Sequence, residues 1–173
     1  GTMDIWEYIR FATEPLCRYG AIESEAAHAL FMRDVVQKVI QPEALALVRQ
    51  HQAAGDAVII VTATNEFVTR SIAQIFGVTD LMAVNLARDP VSGWFNGEIL
   101  GTPSFREGKV TRVGQWLAER QLDWQDVDST FYSDSINDLP LLERVNHPVA
   151  TNPDAQLRAI AQARGWRILE LFQ

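Results

Sequence analysis

The chain is poor in the residue types on which several common chemistries depend. It has one cysteine, Cys17, and three histidines among 173 residues. A single thiol cannot close an internal disulfide, and no His/Cys cluster offers a zinc site. Cys17 reads as a half-buried helix residue rather than a nucleophile, and the lack of disulfides suits a reducing, cytoplasmic compartment. His28 falls on a helix, His51 at a helix end and His147 beside Pro148, none of them in a setting for acid–base work. Lys and Arg total 15 against 22 Asp and Glu, a net charge of −7. Without a basic stripe the chain lacks the cations that displace counterions from phosphates, which excludes sequence-independent nucleic-acid binding. Long apolar runs are missing too. The longest are strand-sized, and residues 1–15 show neither a basic start nor an apolar signal core, so nothing is expected to span or enter a membrane. No Gly-x-Gly-x-x-Gly follows a strand, which disfavours a dinucleotide oxidoreductase.

An apolar share of 47% is enough for one sizeable core and a small second lobe. Ile5, Tyr8, Ile9, Ala12 and Leu16 share one helical face, which stops near Pro15. After the Arg18-Tyr19-Gly20 turn, Ser24 can cap a second helix with Ala27, Phe31, Val35 and Val39 at every fourth position. These helices, residues 1–41, predict the later part of a helical cap; residues 42–173 predict an α/β core.

In that core, Pro42 opens a helix with Ala44, Leu45, Leu47 and Val48 on its apolar side, closed at Gly55. Residues 57–61 form an apolar, β-branched run expected to be a strand buried on both faces. Thr62-Ala63-Thr64-Asn65 follows, with Asn65 capping a helix that ends at Gly77. Asp89-Pro90, Ser92-Gly93 and Asn96-Gly97 predict short strands and tight turns that make a flap rather than a core element. Ser104-Phe105-Arg106-Glu107 fits a capping box for a helix carrying Val110, Val113 and Leu117. Phe131-Tyr132-Ser133 predicts a strand, Asp134-Ser135-Ile136-Asn137-Asp138 a loop, and Pro140 a helix start. Strands at 148–150 and 167–171 flank a helix that Asp154 caps and Gly165 ends. Alternation of this kind predicts a doubly wound, Rossmann-like parallel sheet with right-handed crossovers.

Working residues in such sheets sit in loops at the carboxyl ends of strands. Asp134 and Asp138 are hard oxygen donors four residues apart, one ending a strand and one starting a helix, and both can face one crevice. Sparse oxygen ligands suit magnesium; the competing reading is a simple turn and cap. Thr62, with the N–H groups of Ala63 and Thr64, can cradle a phosphate at a helix entrance, or be an ordinary cap. Lys109 can neutralise a phosphate as a point charge, or be solvated.

In this order, an apolar strand ending in Thr, a later helical Lys and a strand followed by Asp-x-x-x-Asp resemble the second to fourth motifs of the haloacid dehalogenase superfamily. Phe131-Tyr132-Ser133-Asp134-Ser135-Ile136-Asn137-Asp138 resembles its phosphoserine-phosphatase-like branch, with Ser133 in place of that branch's glycine. Phe105-Arg106-Glu107-Gly108-Lys109 and Pro148-Val149-Ala150-Thr151-Asn152-Pro153-Asp154 resemble the same branch, so the similarity covers essentially the whole chain. The resemblance implies a magnesium-dependent hydrolase of a small phosphorylated metabolite, phosphoserine or histidinol phosphate for example. Asp134 and Asp138 would serve the metal, Thr62, Ala63, Thr64, Lys109 and Asn137 the phosphate, and Lys109, Asp134 and Asp138 catalysis. A cation is needed: a carboxylate about 4 Å from one phosphate charge repels it by about 4 kcal/mol at an effective dielectric near 20, and magnesium inverts that sign.

The family's first motif, a strand ending in Asp-x-Asp-x-Thr, supplies the nucleophile. Asp126-Val127-Asp128-Ser129-Thr130 has the letters, but Asp123, Trp124 and Gln125 before it are not an apolar strand, so it is expected to be a solvated turn. The resemblance therefore implies a chain that starts after its first motif, with the central strand absent. The strands flanking that slot would stand about 9–10 Å apart, twice the interstrand spacing. About fifty more residues would fill it, on the family's domain size, or self-association would. If the gene begins near Met3, the alternative is a non-catalytic phosphate- or metal-binding remnant.

Overall fold

The computed structural model describes residues 4–172; Met3, the candidate start of a remnant, lies outside them. Packing divides the chain into two units, Gly1–Pro103 and Ser104–Gln173. The architecture is α/β, with its strands in two three-stranded sheets.

The first unit opens with α1, Ile5–Phe31, whose Asp4 cap accepts from the Trp6 N–H. Pro15 lies inside this helix and does not end it; the break comes at Gly20, with φ 75° and ψ −172°. The side of α1 that is covered runs through Ile5, Ile9, Thr13 and Leu16, while Tyr8 and Ala12 face solvent. Beyond the break the expected stripe is out of phase. Ala27, Phe31, Val35 and Val39 are exposed, whereas Ser24, His28, Met32 and Val36, one residue further round, face inward. Ser24 is thus a buried mid-helix residue and not a cap. A π-helical turn, Met32–Val36, and the short α2, Gln37–Val39, complete the segment.

The helix α3, Pro42–Ala54, has Pro at its start and a left-handed Gly55 at its end, as expected. Gln52 at its last turn donates to the Phe76 and Gly77 carbonyls, tying it to the end of α4, Glu66–Ile75. Between these helices runs β1, Ile59–Asn65. It starts two residues later than expected and continues through the segment read as a loop. It is half-buried along most of its length, and among the described residues it pairs on one side alone. That partner is β2, Asp80–Arg88, the true centre of the sheet, with Ala83 and Val84 fully buried. β2 pairs parallel with β1 and antiparallel with β3, Phe95–Leu100. The β2–β3 hairpin is therefore core, not flap: Ile9, Val84, Leu86 and Phe95 cluster, with Leu16, Phe67 and Trp94 against them.

The second unit carries α5, Glu107–Glu119; β4, Thr130–Ser133; α6, Leu139–Leu142; β5, His147–Thr151; α7, Ala155–Arg164; and β6, Arg167–Leu169. β5 pairs parallel with both β4 and β6. α7 has the expected Asp154 cap and left-handed Gly165. The expected capping box at α5 does not form: Arg106 occupies the cap position without a side-chain bond, and Ser104 is buried, accepting instead from Arg112. Leu142, Ala150, Leu157 and Ala161 form the second core, each with no exposed surface.

A Cβ at Gly20 would meet no atom within 4 Å, so only the backbone forbids a side chain there. Its φ and ψ lie in a region that is essentially glycine-only, and Gly20→Ala should cost about 1–3 kcal/mol in chemical denaturation. An unchanged midpoint would mean that the helix break is not maintained in solution.

Candidate active site

The loop after β4 is built by short-range hydrogen bonds that a strand-to-helix turn requires once the ladder ends. Ser133 Oγ accepts from the Ser135 N–H at 3.2 Å, and Ser135 Oγ accepts from the Asn137 N–H at 3.2 Å. A one-turn 3-10 helix, Ile136–Asp138, then leads into α6. A second tether comes from Asp154. Its Oδ2 accepts from the Ile136 N–H at 2.9 Å and its Oδ1 from the Leu157 N–H at 2.7 Å, while its own N–H donates to the Asp134 carbonyl at 2.8 Å. One carboxylate thus caps α7 and clamps the loop. These backbone N–H donors, Leu157 foremost, hold the Asp154 carboxyl below its ordinary range.

Lys109 and Asp138 meet directly. The ammonium is 2.6 Å from Asp138 Oδ1 and 2.7 Å from Oδ2, and Ser133 Oγ donates to Oδ2 at 2.7 Å. The side chains are only 8% and 11% exposed, so Lys109 is not the solvated residue that a lone helical lysine would suggest. The residue that departs from the family's glycine, Ser133, satisfies this carboxylate. Asp134, by contrast, is exposed. Asn137 Oδ1 accepts from Arg106 Nε at 3.3 Å. Arg106 itself has φ 48° and ψ −121°, a sparsely populated conformation at the start of α5. Sequence reasoning gave Arg106 no role in the site; the only signal was its place in the Phe105-Arg106-Glu107-Gly108-Lys109 string.

Magnesium suits sparse, hard oxygen donors that leave room for water. Asp134 fits that description, with its carboxylate at the end of β4 and open to solvent. Asp138 fits less well as a direct ligand, because both its oxygens already face Lys109. Among the described residues no group of three or more His, Cys, Asp or Glu could hold a metal.

In the first unit, Thr62, Ala63 and Thr64 leave the β1–β2 ladder as a bulge, since Val61 pairs with Met82 and Asn65 with Val84. Thr62 Oγ1 accepts from the Thr64 N–H at 3.1 Å. Asn65 caps α4 through the Val68 N–H, so the bulge opens directly onto a helix N-terminus. The Asp126 to Thr130 string is neither an apolar strand nor the expected turn: Asp126 ends a one-turn 3-10 helix and closes a capping box with Asp123, Asp128, 79% exposed, bonds to His147, and Thr130 opens β4. Cys17 is more exposed than expected. Partial burial and the Glu14 charge push its thiol pKa up, the reverse of an activated nucleophile.

The profile of the haloacid dehalogenase-like hydrolases matches residues 7–143. The chain belongs to that family. It is 42% identical over 170 residues to a histidinol-phosphatase of Neisseria meningitidis, covering 98% of this chain and 76% of that protein. It is 37% identical over 122 residues to a phosphoserine phosphatase of Mycobacterium tuberculosis, covering 70% of this chain and 38% of that protein. Among solved structures, a Bordetella pertussis protein of unknown function matches with TM-score 0.94 and 48% identity, over 99% of this chain and 77% of that one. A probable phosphoserine phosphatase of Vibrio cholerae shares the fold, with TM-score 0.62 and 18% identity over 83% and 42% of the two chains. The chain is accordingly a phosphatase-type hydrolase with the α/β fold of this family. No helix among the described residues is long and apolar enough to cross a membrane.

Removing one partner of a buried ion pair strands the other charge. Lys109→Met alone should therefore cost about 3–5 kcal/mol in urea denaturation, and Lys109→Met with Asp138→Leu should recover most of it. Additive losses would show that the pair does not form. Asp154 has a lowered folded-state pKa, so the stability it contributes is present at neutral pH and lost as pH falls through that lowered value. Asp154→Asn should flatten the acid limb of a pH–stability curve; an identical limb would remove Asp154 as the clamp.

Proposed function

We propose that the protein is a magnesium-dependent phosphomonoesterase acting on a small phosphorylated metabolite in the cytoplasm. The observation that carries this reading is the preassembled cluster of Lys109, Asp138 and Ser133 beside the open carboxylate of Asp134. In this reading Asp134 holds the metal directly, and Asp138 serves by fixing Lys109. Thr62, the Ala63 N–H and, once it leaves Thr62 Oγ1, the Thr64 N–H bind phosphoryl oxygens, Lys109 neutralises phosphoryl charge, and Asn137, steadied by Arg106, hydrogen-bonds to the substrate. A bound magnesium would supply charge that lets a dianion enter an acidic crevice. Residues 1–41 act as the later part of a cap that chooses the substrate.

Turnover in this chemistry also needs a nucleophilic carboxylate, a role that none of the residues assigned above fills. For the polypeptide taken alone, a second reading is favoured by Asp126 and Asp128, which are exposed and lie on no apolar strand that could aim a nucleophile. Alone, it would bind phosphate or metal without turnover.

The substrate candidates are histidinol phosphate and phosphoserine, after the named relatives. The complete protein should release phosphate from one of them with magnesium, lose activity on chelation, and lose at least about a hundredfold in Asp134→Asn. No turnover of any small phosphomonoester would overturn the phosphatase reading.

A further inference from the structure

The turn that leads into α5 carries an arginine where glycine is the natural residue. The Gly108 N–H donates to the Phe105 carbonyl at 2.9 Å, so residues 105–108 close a β-turn, and Arg106, with φ 48° and ψ −121°, sits at its first central position. Those angles are close to a type II′ turn, which takes glycine at that place because a side chain there is strained. An arginine that did no more than face water would gain nothing from this conformation. Strain of this kind persists where the surrounding structure holds a side chain to a task.

The guanidinium is held on two sides. Its Nε donates to Asn137 Oδ1 at 3.3 Å, and its Cζ lies 5.1 Å from the centre of the Phe105 ring. A guanidinium can only donate, so Asn137 turns its oxygen toward Arg106 and keeps its two amide hydrogens for another acceptor. Among the described residues, Nη1 and Nη2 of Arg106 have no hydrogen-bond partner, and no carboxylate pairs with it. Charge points the same way. Lys109, the other cation of this cluster, is already matched by Asp138 at 2.6 and 2.7 Å, while Asp134 stands exposed. These three residues together leave a negative charge, which a phosphoryl dianion meets as repulsion unless a further cation faces it.

We infer that Arg106 is a second phosphoryl-binding cation, whose Nη1 and Nη2 grip two oxygens of the phosphoryl group beside the Asn137 amide, and that the strained turn is kept because it holds this fork in place. Paired N–H donors in one plane match the spacing of phosphate oxygens. Lysine would bring the charge without the fork. The inference rests on the phosphatase reading for the site it completes, but its test reads binding of inorganic phosphate rather than turnover.

The test titrates the protein with inorganic phosphate at fixed magnesium concentration and ionic strength, and follows Gly108 and the Asn137 side-chain amide by NMR. Both signals should shift. Arg106→Ala and Arg106→Gly should each weaken phosphate binding about tenfold, and Arg106→Lys about threefold. An effect passed on only through Asn137 is separated by an Asn137→Ala background, followed at Gly108, in which Arg106→Gly should still cost at least about threefold. The strain has its own readout: Arg106→Gly should unfold at a higher urea concentration than Arg106→Ala, since both lose the fork and only glycine relaxes the turn. Undiminished affinity in Arg106→Ala and Arg106→Gly, no further loss in the Asn137→Ala background, or a urea midpoint for Arg106→Gly no higher than for Arg106→Ala would overturn the inference. A complete protein inactive on every phosphomonoester, yet binding phosphate through Arg106, would remove the phosphatase reading and leave this inference standing.

Discussion

Burial of Lys109 against Asp138 is the constraint around which the second unit is organised. An ammonium and a carboxylate each lose hydration worth several kcal/mol when covered, and their attraction offsets that loss only if the remaining polar atoms are also satisfied. Ser133 Oγ supplies the extra hydrogen bond on one Asp138 oxygen. Because Ser133 ends β4, Asp138 precedes α6 and Lys109 lies in the first turn of α5, one cluster pins three elements together. The Asp134 carboxylate is thereby presented at a fixed edge. Its backbone is held from the other side by Asp154.

The first unit solves a related problem differently. Its ladder is interrupted so that Thr62 to Thr64 bulge out of the sheet just where α4 begins. A bulge before a helix N-terminus frees backbone N–H groups from the neighbouring strand; the Thr64 N–H turns to Thr62 Oγ1. The same junction carries Phe67 into the aromatic cluster with Trp94 and Phe95.

Much of this was legible in the residues, and the failures have physical causes. Local chemistry was readable: Pro42, Gly55, Asn65, Asp154 and Gly165 punctuate helices where capping rules place them. The alternation of helix and strand identified the α/β class, and the Asp134 to Asp138 string identified the family. Position within a sheet was not readable, because an apolar run looks the same at an edge as at the centre. β1 was expected to be buried on both faces and is half-buried, whereas β2, central among the described strands of its sheet, went unassigned. The phase of the helix after Gly20 was misjudged for a similar reason: two stripes one residue apart compete, and packing favours Ser24, His28 and Val36 over the more apolar face. Ser104 looked like a cap but is buried against Arg112, a tertiary contact eight residues away that no local rule contains. The direct pairing of Lys109 with Asp138 spans 29 residues and was equally invisible.

The account is tested most directly by diffraction from crystals of the protein soaked with manganese and tungstate, stand-ins for magnesium and phosphate whose anomalous scattering locates each. The expected map has manganese on the Asp134 carboxylate and tungstate within hydrogen-bond distance of Lys109 Nζ, with Asp138 still holding that ammonium. Manganese bound elsewhere, with Lys109 untouched by the anion, would contradict it.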